Sequence, residues 1–489
     1  MSLARFILGL AALAASGACS TLGGDIATQL NTPGLAGARW GMLVTTMDGR
    51  EIVSIRPDER FVPASNTKMF TIAAAFEQLK NLDVPDPSAG ASIRLEPHEG
   101  GGPPDLVIVG GGDAALIDAD DCENDCLHTL ADMVVENGVT HVQDVIGDDR
   151  LFPDQRWAPG WGVDDIQVRA GEPVSALVIN SNELTLHISP GPAAGTPALA
   201  TWRQGDDFFR IENDATTVEG DKESVRIERR PGADTVRVYG TIGVNVKPLT
   251  IPIAVEDPAL TGAWRIKQLL EQRGVKVDGQ IRARHRPMAT SDLPDVRTEA
   301  PPPLDWAGVE IARLTPPPLI DDIRFTSKQS QNLHAEVLLR RLGRINGAGS
   351  IEDGLAVVKA MLVEANANPA TYDFLDGSGL SIYNRTTPRM VVAFLRWAAK
   401  QNWGAAWRDV MPVGGVDGTL ARRFKGTALE GKVFAKTGTL NGVNSLSGFL
   451  VAKSGQTLVF SVFANDRPAS SESAIGPMDT ALLSIAAAN

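Results

Sequence analysis

The pattern of apolar and polar positions changes texture along the chain. Trp40 to Thr46 reads as a strand, Met47-Asp48-Gly49-Arg50 carries an Asp-Gly turn signal, and Glu51 to Ile55 reads as the return strand, which predicts a β-hairpin. An alanine-rich apolar run, Ile72 to Leu79, predicts a helix packed on that sheet. Val84 to Pro104 is rich in proline and glycine. Strands are then predicted at Asp105–Val109, His141–Gly147 and Pro173–Ile179, with an amphipathic helix at Leu127–Asn137. From about Ser189 to Val244 polar and apolar residues alternate, as in Asp207-Phe208-Phe209-Arg210-Ile211, which predicts a small all-β insertion. Pro258–Arg273 is again helical and Val275–Arg284 a strand, and the proline-rich Pro301 to Pro318 marks a boundary. Helices are predicted at Asn332–Leu342, Ser350–Ala365, Thr387–Lys400 and Met478–Ala486, and strands at Ser447–Lys453 and Gln456–Asn465. A sheet built from both chain ends with helices between is an α/β or α+β platform.

The length, 489 residues, implies more than one domain, and 43% hydrophobic with 21% charged residues is a globular composition. A net charge of −13 argues against nucleic acid and against an anionic membrane surface as partners. Met1 to Ala18 reads as a signal peptide: Arg5 is its positive end, Phe6 to Ala15 its apolar stretch, and Ser16-Gly17-Ala18 suits cleavage. The apolar stretch is too short to span a bilayer. Cys19 follows directly, which permits lipid attachment there, and either way the mature chain is exported. In an exported protein Cys122 and Cys126 suit a small-loop disulfide; a metal pair is the alternative, but no second pair of Cys or His flanks them.

Three stretches carry candidate chemistry. Ser65 and Lys68 lie three residues apart at a helix start, on one face and one turn apart. A serine hydroxyl needs a base to become a nucleophile, and a lysine with a lowered pKa can be that base. Free N–H groups of the first turn suit an oxyanion. Ser330-Gln331-Asn332 opens the helix bearing His334 and Glu336, where simple capping is the bland explanation. Lys436-Thr437-Gly438-Thr439 precedes the Ser447–Lys453 strand; Gly438 lets a ligand approach and Lys436 with Thr437 can grip a carboxylate, although a surface turn would look the same. Gly110-Gly111-Gly112-Asp113 has neither spacing of a phosphate-binding loop and reads as a tight turn. No histidine has a good claim as a base.

S-x-x-K, S-x-N and K-T-G in that order are the motif set of penicillin-binding proteins and class A β-lactamases. The chain resembles that superfamily, and more closely the class C low-molecular-mass penicillin-binding proteins, which are D-alanyl-D-alanine carboxypeptidases that can also act as endopeptidases. Phe61–Lys68, Ser175–Asn182, Asp376–Ser381, Gly414–Leu420 and Lys436–Asn441 carry the likeness. The long separation of Lys68 from Ser330 exceeds what a β-lactamase needs, and in this family it holds two inserted domains, one nested in the other. The resemblance implies a transpeptidase-like domain from 19–85 and 296–489, an inserted α/β domain from 86–188 and 245–295, and a nested β-rich domain from 189–244. It implies Ser65 as the acylated nucleophile, Lys68 as its base, Ser330 as a proton relay and Asn332 as a holder of Lys68 and the substrate amide. Lys436, Thr437 and Thr439 would bind the terminal carboxylate of a peptidoglycan stem peptide, and the N–H groups of Ser65 and Thr439 would form the oxyanion hole. β-Lactams would acylate the same serine, and no metal or organic cofactor is needed. Trp161, Asp164 and Asp165 match part of the family's pocket for the diamino acid, but Ile166-Gln167-Val168-Arg169 replaces its tyrosine-rich tail. Ile382 stands where relatives often have arginine. The rival expectations are a β-lactamase or a lipid-anchored esterase of the same fold, and a non-catalytic wall-binding module. The expected location is the periplasm, free or lipid-anchored.

Overall fold

The computed structural model describes residues 22–119, 121–468 and 473–489. The expected signal peptide, Met1–Ala18, and the candidate lipidation site Cys19 lie outside these residues. Among the described residues no helix is long and apolar enough to cross a membrane. The chain forms two compact units. The first holds the described residues up to Lys80, Ile323–Leu342 and Gly354–Asn489; the second holds Asn81–Asp322 and Gly343–Asp353. Residues 296–322, expected in the catalytic domain, thus group with the second unit.

The first unit is built on an antiparallel five-stranded sheet in the order Val433–Leu440, Val443–Val451, Thr457–Asn465, Arg39–Thr46, Glu51–Ile55. The predicted hairpin at Trp40–Ile55 is present, and Arg39–Thr46 pairs along its whole length with Thr457–Asn465. Val443–Val451 and Thr457–Asn465 are buried on both faces along nearly their whole length, and the second reads as an almost continuous apolar run. Trp40, Met42, Val44, Leu458, Phe460 and Val462 share one face and a core with Ile26, Met478, Leu482 and Ile485 from two terminal helices. The strand Val433–Leu440 was not predicted. Its Lys436, Thr437 and Thr439 interrupt the apolar pattern that marks its neighbours.

The second unit contains a five-stranded mixed sheet, Ile281–Arg286, Val145–Pro153, Asp105–Val109, Ser92–Glu96, Val309–Arg313. The first three strands run parallel and the last two antiparallel to their neighbours. The helices Leu127–Glu136 and Pro258–Gln272 cover one face through Leu127, Leu130, Val134, Ile266, Leu269 and Leu270. Between Pro153 and Pro258 lie two three-stranded sheets with a separate core, among them Leu186, Val236, Val238 and Ile253. That core begins at Leu184 and ends at Val255, wider than the expected 189–244.

Several predicted strands are corrected. Ser92–Glu96 and Val309–Arg313 lie inside the two proline-rich stretches and pair with each other. His141–Gly147 and Val275–Arg284 are each broken, the second at Asp278-Gly279. Pro173–Ile179 is not a strand beyond one bridge, Leu177 to Asp113. Two of its N–H groups go to side chains, Leu177 N to Ser175 Oγ at 3.1 Å and Ile179 N to Asn182 Oδ1 at 3.3 Å, and that of Val174 goes to Arg156 O at 2.9 Å.

His285 sits between two carboxylates of the second unit, with Nδ1 2.8 Å from Asp149 Oδ1 and Nε2 2.9 Å from Asp257 Oδ2. Hydrogen bonds donated to the carboxylates of Asp149 and then Asp257 push its pKa up to about 10. Asp257 also caps the helix that follows, accepting Leu260 N–H at 2.9 Å, and lies 3.1 Å from Arg156. A folded pKa above the ordinary 6.5 contributes stability that is complete below pH 6.5 and lost as pH rises through 10. Across that window the melting temperature of the wild type should fall more steeply than that of His285→Gln; parallel curves would show that the charge contributes nothing.

Candidate active site

A 3-10 turn, Ala64–Thr67, feeds the helix Lys68–Gln78. The helix is buried all round its first two turns, so it is a central element rather than an amphipathic surface one. Ser65 and Lys68 meet on one face, with Lys68 Nζ 3.0 Å from Ser65 Oγ. Lys68 Nζ also donates to Asn332 Oδ1 at 2.6 Å and to the Ser378 carbonyl at 2.7 Å. The carbonyl can only accept, and the Asn332 amide is turned to present its oxygen. When Lys68 has lost one proton, its two remaining N–H bonds serve those oxygens and its lone pair faces Ser65. The side chain is fully buried, so bulk water does not compete for that lone pair.

Ser330 follows the helix Leu319–Gln329 and precedes Asn332–Gly343. Its φ of +62° is left-handed rather than the extended backbone of an ordinary N-cap. Its Oγ accepts from Lys436 Nζ at 2.8 Å. Lys436 to Thr439 form part of the strand Val433–Leu440 at the edge of the sheet, not a surface turn. Asn66 Nδ2 donates to the Lys436 carbonyl at 2.9 Å, and Ser445 Oγ from the next strand donates to Pro63 O at 2.7 Å, which ties this edge to the nucleophile turn. A Cβ at Gly438 would stand 2.8 Å from Pro63 O and 3.0 Å from Ala64 Cβ, so only glycine allows this approach. Thr437 Oγ1 donates to Thr419 Oγ1 at 2.7 Å, and Asn444 Nδ2 to the exposed Thr439 Oγ1 at 3.3 Å. Burial, and then the like charge of Lys68, pushes the Lys436 ammonium well below the usual lysine value. Ser65, Lys68, Ser330, Asn332 and Lys436 to Thr439 thus form one constellation within the first unit: a hydroxyl beside an amine, a second hydroxyl beside a second amine, and a strand edge.

Sequence reasoning missed two contributors. The loop Asp376–Ser381 supplies the carbonyl that holds Lys68, and Glu336 lies beneath it, accepting Gly377 N–H at 2.9 Å and Ser378 N–H at 2.8 Å. The available signal was spacing: Glu336 stands four residues after Asn332, on the same helix face. Burial first, and Asp376 second, raise Glu336 to about 7 against the pull of Arg340. Trp161, Asp164 and Asp165 belong to the second unit, where Asp165 Oδ2 accepts Gly162 N–H at 3.1 Å. Cys122 and Cys126, also there, are joined as a disulfide with Cα atoms 5.8 Å apart. One group in the second unit has metal-ligand chemistry, His98, Asp105 and Asp144. Its oxygens are already engaged: Asp105 Oδ1 by His98 Nδ1 and Asp144 N–H, and Asp144 by Gln280 N–H and Arg282.

Residues 22–484 match the D-Ala-D-Ala carboxypeptidase 3 (S13) family. A D-alanyl-D-alanine carboxypeptidase of Actinomadura sp. (strain R39) is 34% identical over 92% of this chain and 82% of its own length. A penicillin-sensitive carboxypeptidase A of Dictyostelium discoideum is 24% identical over 91% of this chain and 86% of its own. Among solved structures, penicillin binding protein 4 (dacB) from Haemophilus influenzae superimposes with a TM-score of 0.77 at 21% identity, covering 94% of this chain and 97% of that one. The same protein complexed with a novel β-lactam gives 0.72. These two likenesses show the fold.

Proposed function

Because this chain belongs to the D-Ala-D-Ala carboxypeptidase 3 (S13) family and is a serine-type D-Ala-D-Ala carboxypeptidase acting on peptidoglycan, we propose that it works through an acyl-enzyme on Ser65. The observation that carries this reading is the Lys68 Nζ to Ser65 Oγ contact of 3.0 Å, with Asn332 Oδ1 and Ser378 O accepting from the same amine. Ser65 Oγ attacks the carbonyl carbon of the penultimate D-alanine as its proton passes to Lys68 Nζ. The oxyanion is held by the backbone N–H groups of Ser65 and Thr439. The C–N bond then breaks, and the departing D-alanine amine takes a proton through Ser330, whose Oγ lies on Lys436 Nζ. Lys436, Thr437 and Thr439 receive the terminal carboxylate. The proton that reaches the departing amine is the one Lys68 took up, so Lys68 is neutral again; it then takes a proton from water, whose oxygen attacks the acyl carbon, and returns it to Ser65 Oγ as the acyl–oxygen bond breaks.

A β-lactam carries its own strained amide into the same steps and leaves a long-lived adduct. The chain acts outside the cytoplasm, where its substrate is. We further propose a periplasmic location with lipid anchorage at Cys19, an added endopeptidase activity on cross-links, and a part for Trp161, Asp164 and Asp165 in receiving the diamino acid. Intact mass after incubation with a β-lactam tests the central step. One drug mass should appear on the wild type and none on Ser65→Ala. An adduct on both would move the nucleophile elsewhere, and rapid drug hydrolysis without an adduct would favour a β-lactamase.

A further inference from the structure

We propose that Glu336 is a positioning residue for Lys68, acting through the Asp376–Ser381 loop to hold the amine at Ser65; this rests on the reading of Ser65 and Lys68 as the acylating pair. Glu336 and Asp376 are both fully buried. Between them they engage four backbone N–H groups of a six-residue loop. Glu336 Oε1 takes those of Gly377 and Ser378, and Asp376 takes those of Gly379 at 2.9 Å and Ser381 at 2.6 Å. The carbonyls of the same loop face the nucleophile helix: Gly377 O accepts Thr71 Oγ1 at 2.7 Å and Ser378 O accepts Lys68 Nζ at 2.7 Å. The Ser378 carbonyl and the Gly379 N–H belong to one peptide group. Lys68 is therefore joined through that peptide to the Asp376 carboxylate, while Glu336 fixes the preceding N–H pair.

One helix thus grips Lys68 twice, directly from Asn332 and, one turn later, from Glu336 through the loop. Among the described residues Glu336 Oε2 has no hydrogen-bond partner, and it stands 3.8 Å from Arg340 Nη1. The charges of Asp376 and Arg340 face Glu336, and that of Lys436 faces Lys68. An ionised Glu336 favours the ammonium form of Lys68, so the carboxyl sets both where the amine sits and how readily it becomes a base.

The test is the rate of acylation by a β-lactam from about pH 5 to about pH 9, for wild type, Glu336→Gln and Glu336→Ala. Glu336→Ala, which strands two N–H groups, should slow acylation about tenfold or more at every pH. Glu336→Gln keeps the accepting oxygen and loses the charge. It should acylate at a plateau within about threefold of wild type, with the acid limb displaced by about half a pH unit or more toward lower pH. A glutamine variant whose pH profile superimposes on wild type overturns the proposal, as does an alanine variant that acylates at the wild-type rate. Should Glu336→Ala fail to fold, the glutamine profile decides alone. Ser65→Ala is measured beside them: an adduct on that variant would refute the Ser65 reading, whereas an unmoved profile with a silent Ser65→Ala refutes only the role of Glu336.

Discussion

Lys68→Arg should slow β-lactam acylation by about a thousandfold or more, although it preserves the positive charge. The variant separates two accounts of a buried cation beside a serine. If Lys68 served only to stabilise charge, a guanidinium would substitute in part, because arginine is the better donor. A base must instead release a proton, and a guanidinium does not do so in the accessible pH range. The geometry makes the loss severe. Asn332 Oδ1 at 2.6 Å and Ser378 O at 2.7 Å each take an N–H of the amine, and Ser65 Oγ stands 3.0 Å from the same nitrogen. A planar fork in a fully buried site cannot keep those contacts without shifting the loop. Stopped-flow acylation with Lys68→Ala as a second variant checks this. Rates within about tenfold of wild type for Lys68→Arg would remove Lys68 from the role of base.

Gly379→Ala should cost about 3 kcal/mol of stability and slow acylation about a hundredfold. Two independent obstacles meet there. Gly379 has φ +87°, where an L side chain is strained, and its Cβ would come 1.9 Å from the Ala64 carbonyl oxygen. That oxygen has little room to retreat. It accepts Thr67 Oγ1 at 3.0 Å, and Ala64 itself sits at φ +48° one residue before the nucleophile. An added methyl must therefore push the Asp376–Ser381 loop away from the turn that carries Ser65, and Ser378 O moves with it. Urea unfolding and acylation rate measured on the same variant give the two readouts. An unchanged rate would mean that the loop can yield without disturbing Lys68.

The meeting of Ser65 and Lys68 was legible because one turn of helix brings residues three apart together, whatever the rest of the fold does. The edge strand bearing Lys436 was not. A strand that hosts a buried cation and two threonines loses the apolar alternation by which strands are found. Ser92–Glu96 and Val309–Arg313 were hidden for another reason: prolines on both sides suggested loops, yet each strand stands at or near a sheet edge where flanking prolines cost no ladder bonds. Pro173–Ile179 misled in the opposite sense. Its residues are buried like a strand's, but Ser175 and Asn182 side chains take the hydrogen bonds that a ladder would have used. Glu336 carried no sequence signal stronger than helix spacing, and Asp376 only its place in a stretch that carries the family likeness. Their role depends on a loop fold that only the three-dimensional arrangement supplies.

The sheet that carries the nucleophile takes strands from both ends of the chain: Arg39 reaches Asp466 across 427 residues of sequence. A ribosome releases Ser65 and Lys68 early and the strand Val433–Leu440 very late. The second unit, whose strands lie between, can close before the first is complete. Such non-local pairing is slow to form. It also times the appearance of reactivity. Until the strands up to Asn465 are made, Ser65 and Lys68 have no Lys436, no Thr439 N–H and no sheet at their back, so the constellation around the serine is assembled only late in synthesis.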